Sequence, residues 1–266
     1  MDIFMTFILP VLVLGGLAAL FGVLLAYTGQ KFTVPENPKI KETNDLLAGA
    51  NCGACGFPGC EGFAKALIEG RASLDACKPT KKENKEKINA VLGLSGAVGE
   101  DTVAVVNCSG GNNCKEKYEY RGYGSCETAE LLAKGSKACI VGCMGLGTCQ
   151  DACRYNAITV KETGCAIVDE LFCNSCGNCI GTCPKKLISR IPKSAPVFLA
   201  CSNHCRGRDV IDICSVGCIA CGKCARICPV GAITLNDGLP VFDYLKCTGC
   251  GDCAEGCPKQ VIKKRA

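Results

Sequence analysis

Cys218-Ile-Ala-Cys221-Gly-Lys-Cys224-Ala-Arg-Ile-Cys228-Pro229 is the stretch that decides the fold class of this chain. Three cysteines within seven residues, then a Cys-Pro four positions on, match a run that gives three thiolates to one cubane iron–sulfur cluster and sends the fourth to another. The same form recurs at Cys173, Cys176, Cys179 and Cys183-Pro184, and at Cys247, Cys250, Cys253 and Cys257-Pro258. A zinc knuckle pairs two Cys-x2-Cys arms across a longer loop, so these runs favour iron–sulfur binding over zinc.

Outward from these runs the sequence repeats. Cys153-Arg-Tyr-Asn-Ala157-Ile158-Thr159 and Cys228-Pro-Val-Gly-Ala232-Ile233-Thr234 open matching segments at an offset of 74 to 75 residues, and each passes through a glycine turn, Gly164 or Gly238, into a second run. Cys143, Cys149 and Cys153 then lie over Cys218, Cys224 and Cys228. The first copy lacks a counterpart of Cys221, and Cys139 just upstream is the natural substitute. Each copy reads as a two-cluster ferredoxin module, with short Ala-Ile-Thr strands in hairpins and one turn of helix after each Cys-Pro.

Crossing of the fourth cysteine assigns the ligands. One cluster is expected on Cys139, Cys143, Cys149 and Cys183, and a second on Cys173, Cys176, Cys179 and Cys153. The later copy gives Cys218, Cys221, Cys224 with Cys257, and Cys247, Cys250, Cys253 with Cys228. Cys153 departs from the pattern in being followed by Arg154 rather than proline.

A different constellation precedes the repeats: Cys52, Cys55 and Cys60 in Asn51-Cys-Gly-Ala-Cys-Gly-Phe-Pro-Gly-Cys-Glu-Gly-Phe63, followed by Cys77. Gly53, Gly56 and Gly59 let the backbone wrap closely, and Phe63, Leu67 and Ile68 give the next helix an apolar face. These four cysteines suffice for a fifth [4Fe-4S] cluster, with a four-thiolate zinc knuckle as the alternative. Seven cysteines remain. Cys165 falls opposite Leu239 in the hairpin and reads as an ordinary buried thiol. Val103–Cys108 and Pro196–Cys201 look like equivalent strands that each end in a cysteine. A sixth cluster between them would use Cys108, Cys126, Cys201 and Cys214, with Cys114 and Cys205 as substitutes. His204 reads as solvated rather than as a ligand.

Composition agrees with this chemistry. In 266 residues there are 27 cysteines, one histidine, no tryptophan and 6% aromatics, too few large side chains for an ordinary enzyme core of this length. One histidine builds neither a triad nor a His-rich catalytic metal site, which leaves electron transfer. Gly145-Leu-Gly147-Thr-Cys-Gln150 breaks the dinucleotide fingerprint at its third glycine, so neither NAD nor flavin is expected to bind here. The formal charge of +5 does not indicate nucleic acid: each cluster with its four thiolates carries about −2, which brings a five-cluster protein to about −5.

From Ile3 to Tyr27 no residue is charged, a length that exceeds a bilayer's hydrocarbon core of about 30 Å. Asp2, where a signal peptide carries a basic residue, favours a retained anchor. Lys31, Lys39 and Lys41 after it place the remainder in the cytoplasm, where thiols stay reduced and disulfides are disfavoured. The expected organisation is α+β: a transmembrane anchor at 1–28, an extended linker at 29–44, a small helical [4Fe-4S] module at 45–92, a strand-containing connector at 93–135, ferredoxin modules at 136–192 and 214–266, and a connector at 193–213. The lysine-rich stretch from Lys78 to Lys87 reads as a solvated helix face, with steering of an acidic partner as the alternative.

Taken in order, the anchor, the Cys52–Cys60 module with Cys77, and the tandem runs resemble the B subunit of the Rnf complex, a membrane-bound ion-translocating ferredoxin:NAD+ oxidoreductase. The resemblance spans nearly the whole chain. It implies a subunit that accepts electrons from reduced soluble ferredoxin and passes them along its [4Fe-4S] clusters towards flavin- and NAD-bearing membrane and peripheral subunits. A membrane-anchored redox sensor, or an electron donor to another anaerobic enzyme, are the rival readings.

Overall fold

The computed structural model describes residues 9–31, 37–94 and 99–265. Helix α1 (Leu9–Lys31) is 23 residues long, about 35 Å at 1.5 Å per residue. Between Leu12 and Gly29 its mean hydropathy is 2.0 and none of it is buried against the rest of the chain. A helix apolar all round with no protein partner suits lipid, and this one is long enough to cross a membrane. The expected start at Ile3 lies outside the described residues.

Helix α2 (Pro38–Leu46) occupies positions expected to belong to an extended linker. Pro38 sits at the first helical position, where its missing N–H costs nothing, and the Asn37 side-chain oxygen accepts from the Lys39 N–H at 3.0 Å. Helices α3 (Gly59–Ile68) and α4 (Lys82–Leu92) complete a small three-helix unit. Its core is Leu47, Phe63, Ala64, Leu67, Leu74 and Ile88, with Ile40 and Leu46 of α2 packed on its edge. The packing of Ile40 and the burial of Thr43 have no local sign in the sequence. Phe63 is 1% exposed, so Phe63→Ala is expected to destabilise this unit by about 3–5 kcal/mol. Hydrogen exchange would show the loss as faster opening of residues 38–92, with the later modules unchanged.

Strand β1 (Thr102–Val106) and helix α5 (Cys126–Leu131) lead into the first repeat copy, which holds α6 (Thr148–Asp151), β2 (Ile158–Val160), β3 (Ala166–Val168), α7 (Asn178–Thr182) and β4 (Ile188–Pro192). The second holds β5 (Val197–Leu199), α8 (Arg208–Ile211), α9 (Lys223–Ile227), β6 (Ile233–Asn236), β7 (Leu239–Phe242), α10 (Asp252–Glu255) and β8 (Ile262–Lys264). Each copy contains two antiparallel pairs: β1 with β4 and β2 with β3, then β5 with β8 and β6 with β7. The registers run from Thr102 opposite Pro192 to Val106 opposite Ile188, and from Val197 opposite Lys264 to Leu199 opposite Ile262.

Two expectations change here. β1 pairs with β4 and β5 with β8, so two strands expected in the connectors hydrogen-bond to the far ends of the following modules. A ladder between segments so far apart in sequence leaves no local pattern to read. The helical turns also precede the fourth cysteine of each run instead of following Cys-Pro. Proline pushes the residue before it out of the helical region; Cys183 and Cys228 accordingly have ψ of 110° and 113°. The two copies are clamped by Arg265, whose guanidinium makes two 2.6 Å bonds to Glu170 and donates to the Pro192 and Ala195 carbonyls.

Candidate iron–sulfur sites

Three cavities of the tandem modules are each lined by four cysteines drawn from two runs. One of about 320 Å³ is lined by Cys153, Cys173, Cys176 and Cys179. Another, of about 380 Å³, is lined by Cys218, Cys221, Cys224 and Cys257. A third, of about 330 Å³, is lined by Cys228, Cys247, Cys250 and Cys253. In each run the residue before the second cysteine, Ser175, Ala220 or Gly249, has a positive φ, which bends the backbone around the cavity. Amides then turn onto sulfur at the crossing cysteines. The Ala157, Leu187 and Ala232 N–H groups donate to the sulfurs of Cys153, Cys183 and Cys228 at 3.3, 3.5 and 3.3 Å. Such bonds stabilise a thiolate and tune a bound cluster.

The remaining site of the first module differs from the expected set. Burial pushes the Cys149 thiol up to about 12, with further increments from its neighbours Cys143, Cys126, Cys183 and Cys179. Cys183 likewise neighbours Cys143 and Cys126. Cys126 opens α5, and its N–H donates to Thr148 Oγ1 at 2.7 Å, next to Cys149. Cys126, which the expected set did not include, thus stands near Cys149 and Cys183.

A further cavity of about 390 Å³, lined by Cys108, Cys114, Cys143, Cys201 and Cys214, also holds Cys139. Burial pushes its thiol up to about 11, with Cys114, Cys108 and Cys201 as charge neighbours. The sequence held a signal for this. Cys139 precedes Cys143 by the same interval as Cys214 precedes Cys218, so Cys139 is the repeat counterpart of Cys214 and not of Cys221. Cys205 is exposed and does not line the cavity. His204 is also exposed, its Nδ1 3.1 Å from the Asp237 carbonyl oxygen and 3.0 Å from Asp237 Oδ2, a surface pair. Cys165 is buried, as expected of an ordinary core thiol, but it is hydrogen-bonded to both Cys108 and Cys143 and lowers the pKa of each.

In the N-terminal unit the Asn51 side-chain oxygen accepts from the Cys60 N–H at 2.8 Å. Gly59 has φ +85°, and a Cβ there would stand 3.0 Å from that oxygen, so the turn requires glycine. Cys77 is buried, which raises its pKa, and its sulfur lies 3.2 Å from Thr80 Oγ1 with Cys55 and Cys60 as charge neighbours. Cys52 is a charge neighbour of Cys176 in the Cys173–Cys179 site. Lys85 is not part of a solvated strip: it is buried, with Nζ 3.6 Å from Asp75.

The donor sets fit a polynuclear group. Among the described residues no three His, Cys, Asp or Glu side chains converge as a single ion would need, whereas four thiolates on one zinc stand about 3.8 Å apart. Buried thiols with raised pKa values are costly to ionise alone, and a cationic iron–sulfur core supplies the missing compensation.

Comparison with known proteins agrees. The model described as an Fe-S cluster family matches residues 47–79, and the 4Fe-4S dicluster domain model matches residues 217–261. The chain is 40% identical over 235 residues to the B subunit of the ion-translocating oxidoreductase complex of Methanosarcina acetivorans, covering 88% of this chain and 89% of the relative. It is 35% identical over 240 residues to the B subunit of the Na(+)-translocating ferredoxin:NAD(+) oxidoreductase complex of Acetobacterium woodii, covering 90% and 72%. The B subunit of the proton-translocating ferredoxin:NAD(+) oxidoreductase complex of Clostridium ljungdahlii is also 35% identical over 240 residues, covering 90% and 84%. With iron–sulfur donor sets along its length and relatives matched nearly end to end, the chain belongs to the Rnf family of B subunits of ion-translocating oxidoreductase complexes.

Proposed function

We propose that this protein is the electron-relay subunit of a membrane-bound, ion-translocating complex, taking electrons from reduced soluble ferredoxin and delivering them towards flavin- and NAD-handling partner subunits. The observation that carries the reading is the adjacency of the cysteine sets. Cys52 is a charge neighbour of Cys176, Cys179 of Cys149, and Cys224 of Cys253, so the N-terminal set stands near the first module and the two sets of each module stand near one another. When bound, [4Fe-4S] clusters supply one-electron chemistry without proton or group transfer.

Five donor sets serve this reading: Cys52, Cys55, Cys60 and Cys77; Cys153, Cys173, Cys176 and Cys179; Cys126, Cys143, Cys149 and Cys183; Cys218, Cys221, Cys224 and Cys257; and Cys228, Cys247, Cys250 and Cys253. Lys31, Lys39 and Lys41 after α1 favour a cytoplasmic location for all of them. The N-terminal unit follows α1 closely in sequence and is held near the bilayer. Ferredoxin therefore docks on the tandem modules, and the Cys52 site faces the membrane partners.

A Cys55→Ser variant in the assembled complex tests this polarity. Reduced ferredoxin should still reduce the sites at Cys173 to Cys257 within a turnover, followed by their visible bleaching, while NAD+ reduction falls at least about tenfold. Sites that stay oxidised would reverse the polarity, and bleaching far slower than turnover in the wild type would favour a sensor.

A further inference from the structure

We infer that Cys108, Cys139, Cys201 and Cys214 hold a sixth [4Fe-4S] cluster at the junction of the two repeat copies. The inference rests on the cluster-binding reading of the neighbouring runs and adds a site whose ligands come equally from both copies.

The four cysteines form two repeat-equivalent pairs. Cys108 lies two residues beyond the end of β1, and Cys201 two residues beyond the end of β5. The positions match bond for bond. The Asn107 N–H donates to the Leu187 carbonyl and the Ala200 N–H to the Val261 carbonyl, both at 2.7 Å. The Cys143 N–H donates to Cys108 Sγ and the Cys218 N–H to Cys201 Sγ, both at 3.4 Å. Cys139 and Cys214 then stand at the same interval before Cys143 and Cys218. Two-fold likeness of the copies thus brings these two repeat-equivalent pairs onto one cavity of about 390 Å³, which Cys114 and Cys143 also line.

The surroundings suit a compact anionic group. Cys139, Cys201 and Cys214 are buried and Cys108 is half-buried. The rest of the lining includes Gly110, Gly142, Val141 and Val216. A Cβ on Gly110 would lie 3.4 Å from Cys214 Sγ and 3.6 Å from Cys108 Sγ, so the absent side chain keeps both sulfurs free to face the cavity. The copies are joined across it: the Ser109 N–H donates to the Ala200 carbonyl at 3.0 Å, and Ser202 Oγ to the Asn107 carbonyl at 3.0 Å.

Cys143 also lines the cavity but is taken by the set with Cys149 and Cys183, which leaves Cys114 as the competing donor, and its contacts set it apart. It pairs with Cys214 in an isolated bridge, its thiol is hydrogen-bonded to that of Cys214 and donates weakly to the Lys115 carbonyl at 3.6 Å, and it has no repeat counterpart lining the cavity. It serves Cys214 as a hydrogen-bonding neighbour. Binding would be a ligand exchange: four thiols give up four protons as four Fe–S(Cys) bonds form and the four terminal ligands that the [4Fe-4S]²⁺ core carried in are released, and no electron changes hands. The site lies between the Cys143 set of the first module and the Cys218 set of the second, where it fills the gap between the modules.

The test is a count on the anaerobically purified full chain in its complex or in detergent. Iron and acid-labile sulfide, with native mass spectrometry as a measure that no variant's misfolding disturbs, should give about 24 irons per chain, six clusters of four. About 20 would overturn the sixth site while leaving the five-set reading intact, and a chain without iron would overturn that reading instead. Cys139→Ala should lose about four irons, and the double variant Cys139→Ala with Cys183→Ala about eight. A double variant that loses only four would place both residues on one cluster and overturn the ligand set, as would Cys139→Ala retaining all 24. Cys126→Ala with Cys183→Ala should lose only four.

Discussion

A Cys183→Ala chain is expected to lose the cluster supported by Cys143 and Cys149 while keeping the one supported by its own sequence neighbours Cys173, Cys176 and Cys179. Cys183 stands at the end of α7, and its thiol is a charge neighbour of Cys143 and Cys126. The cavity formed by Cys173, Cys176 and Cys179 is completed by Cys153 from the other run. Electron paramagnetic resonance of the reduced chain, compared with Cys153→Ala, should show two different signals missing in the two variants. Loss of the same signal in both would refute the crossed arrangement. The effect is confined to one site because three cysteines leave one of its irons without a thiolate.

The second large effect is on location. A chain starting at Lys31 is expected to move from the membrane pellet almost wholly into the soluble fraction, with iron per chain and visible absorption unchanged. From Leu12 to Gly29 the helix buries nothing against the rest of the protein, so its removal opens no cavity and exposes no core. Its exposed leucines and valines, such as Leu14, Val23 and Leu25, are the apolar surface that holds the chain in lipid. A colourless or aggregated product would show that α1 contributes to folding and not only to anchoring.

The amino-acid order by itself determined the runs, their duplication, the N-terminal four-cysteine loop and the apolar helix. These are local properties. Two residues between neighbours let three thiolates reach one cube, so the spacing at Cys218, Cys221 and Cys224 carries its chemistry within a few peptide units. Twenty-five uncharged residues from Ile3 onward likewise need no partner to be read as a membrane helix.

The tertiary structure alone decided which distant cysteine completes each set. The repeat spacing sets Cys139 over Cys214 but says nothing of Cys126, which α5 and the bond from its N–H to Thr148 bring towards Cys149. Cys108 and Cys201 meet across the module junction because the β1–β4 and β5–β8 ladders set where each strand ends. Cys52 comes near Cys176 across a long stretch of sequence. A ligand supplied from far along the chain depends on ladder register and on the closure of long loops, and those are fixed by the hydrogen bonds and buried contacts of the whole fold rather than by any residue's neighbours.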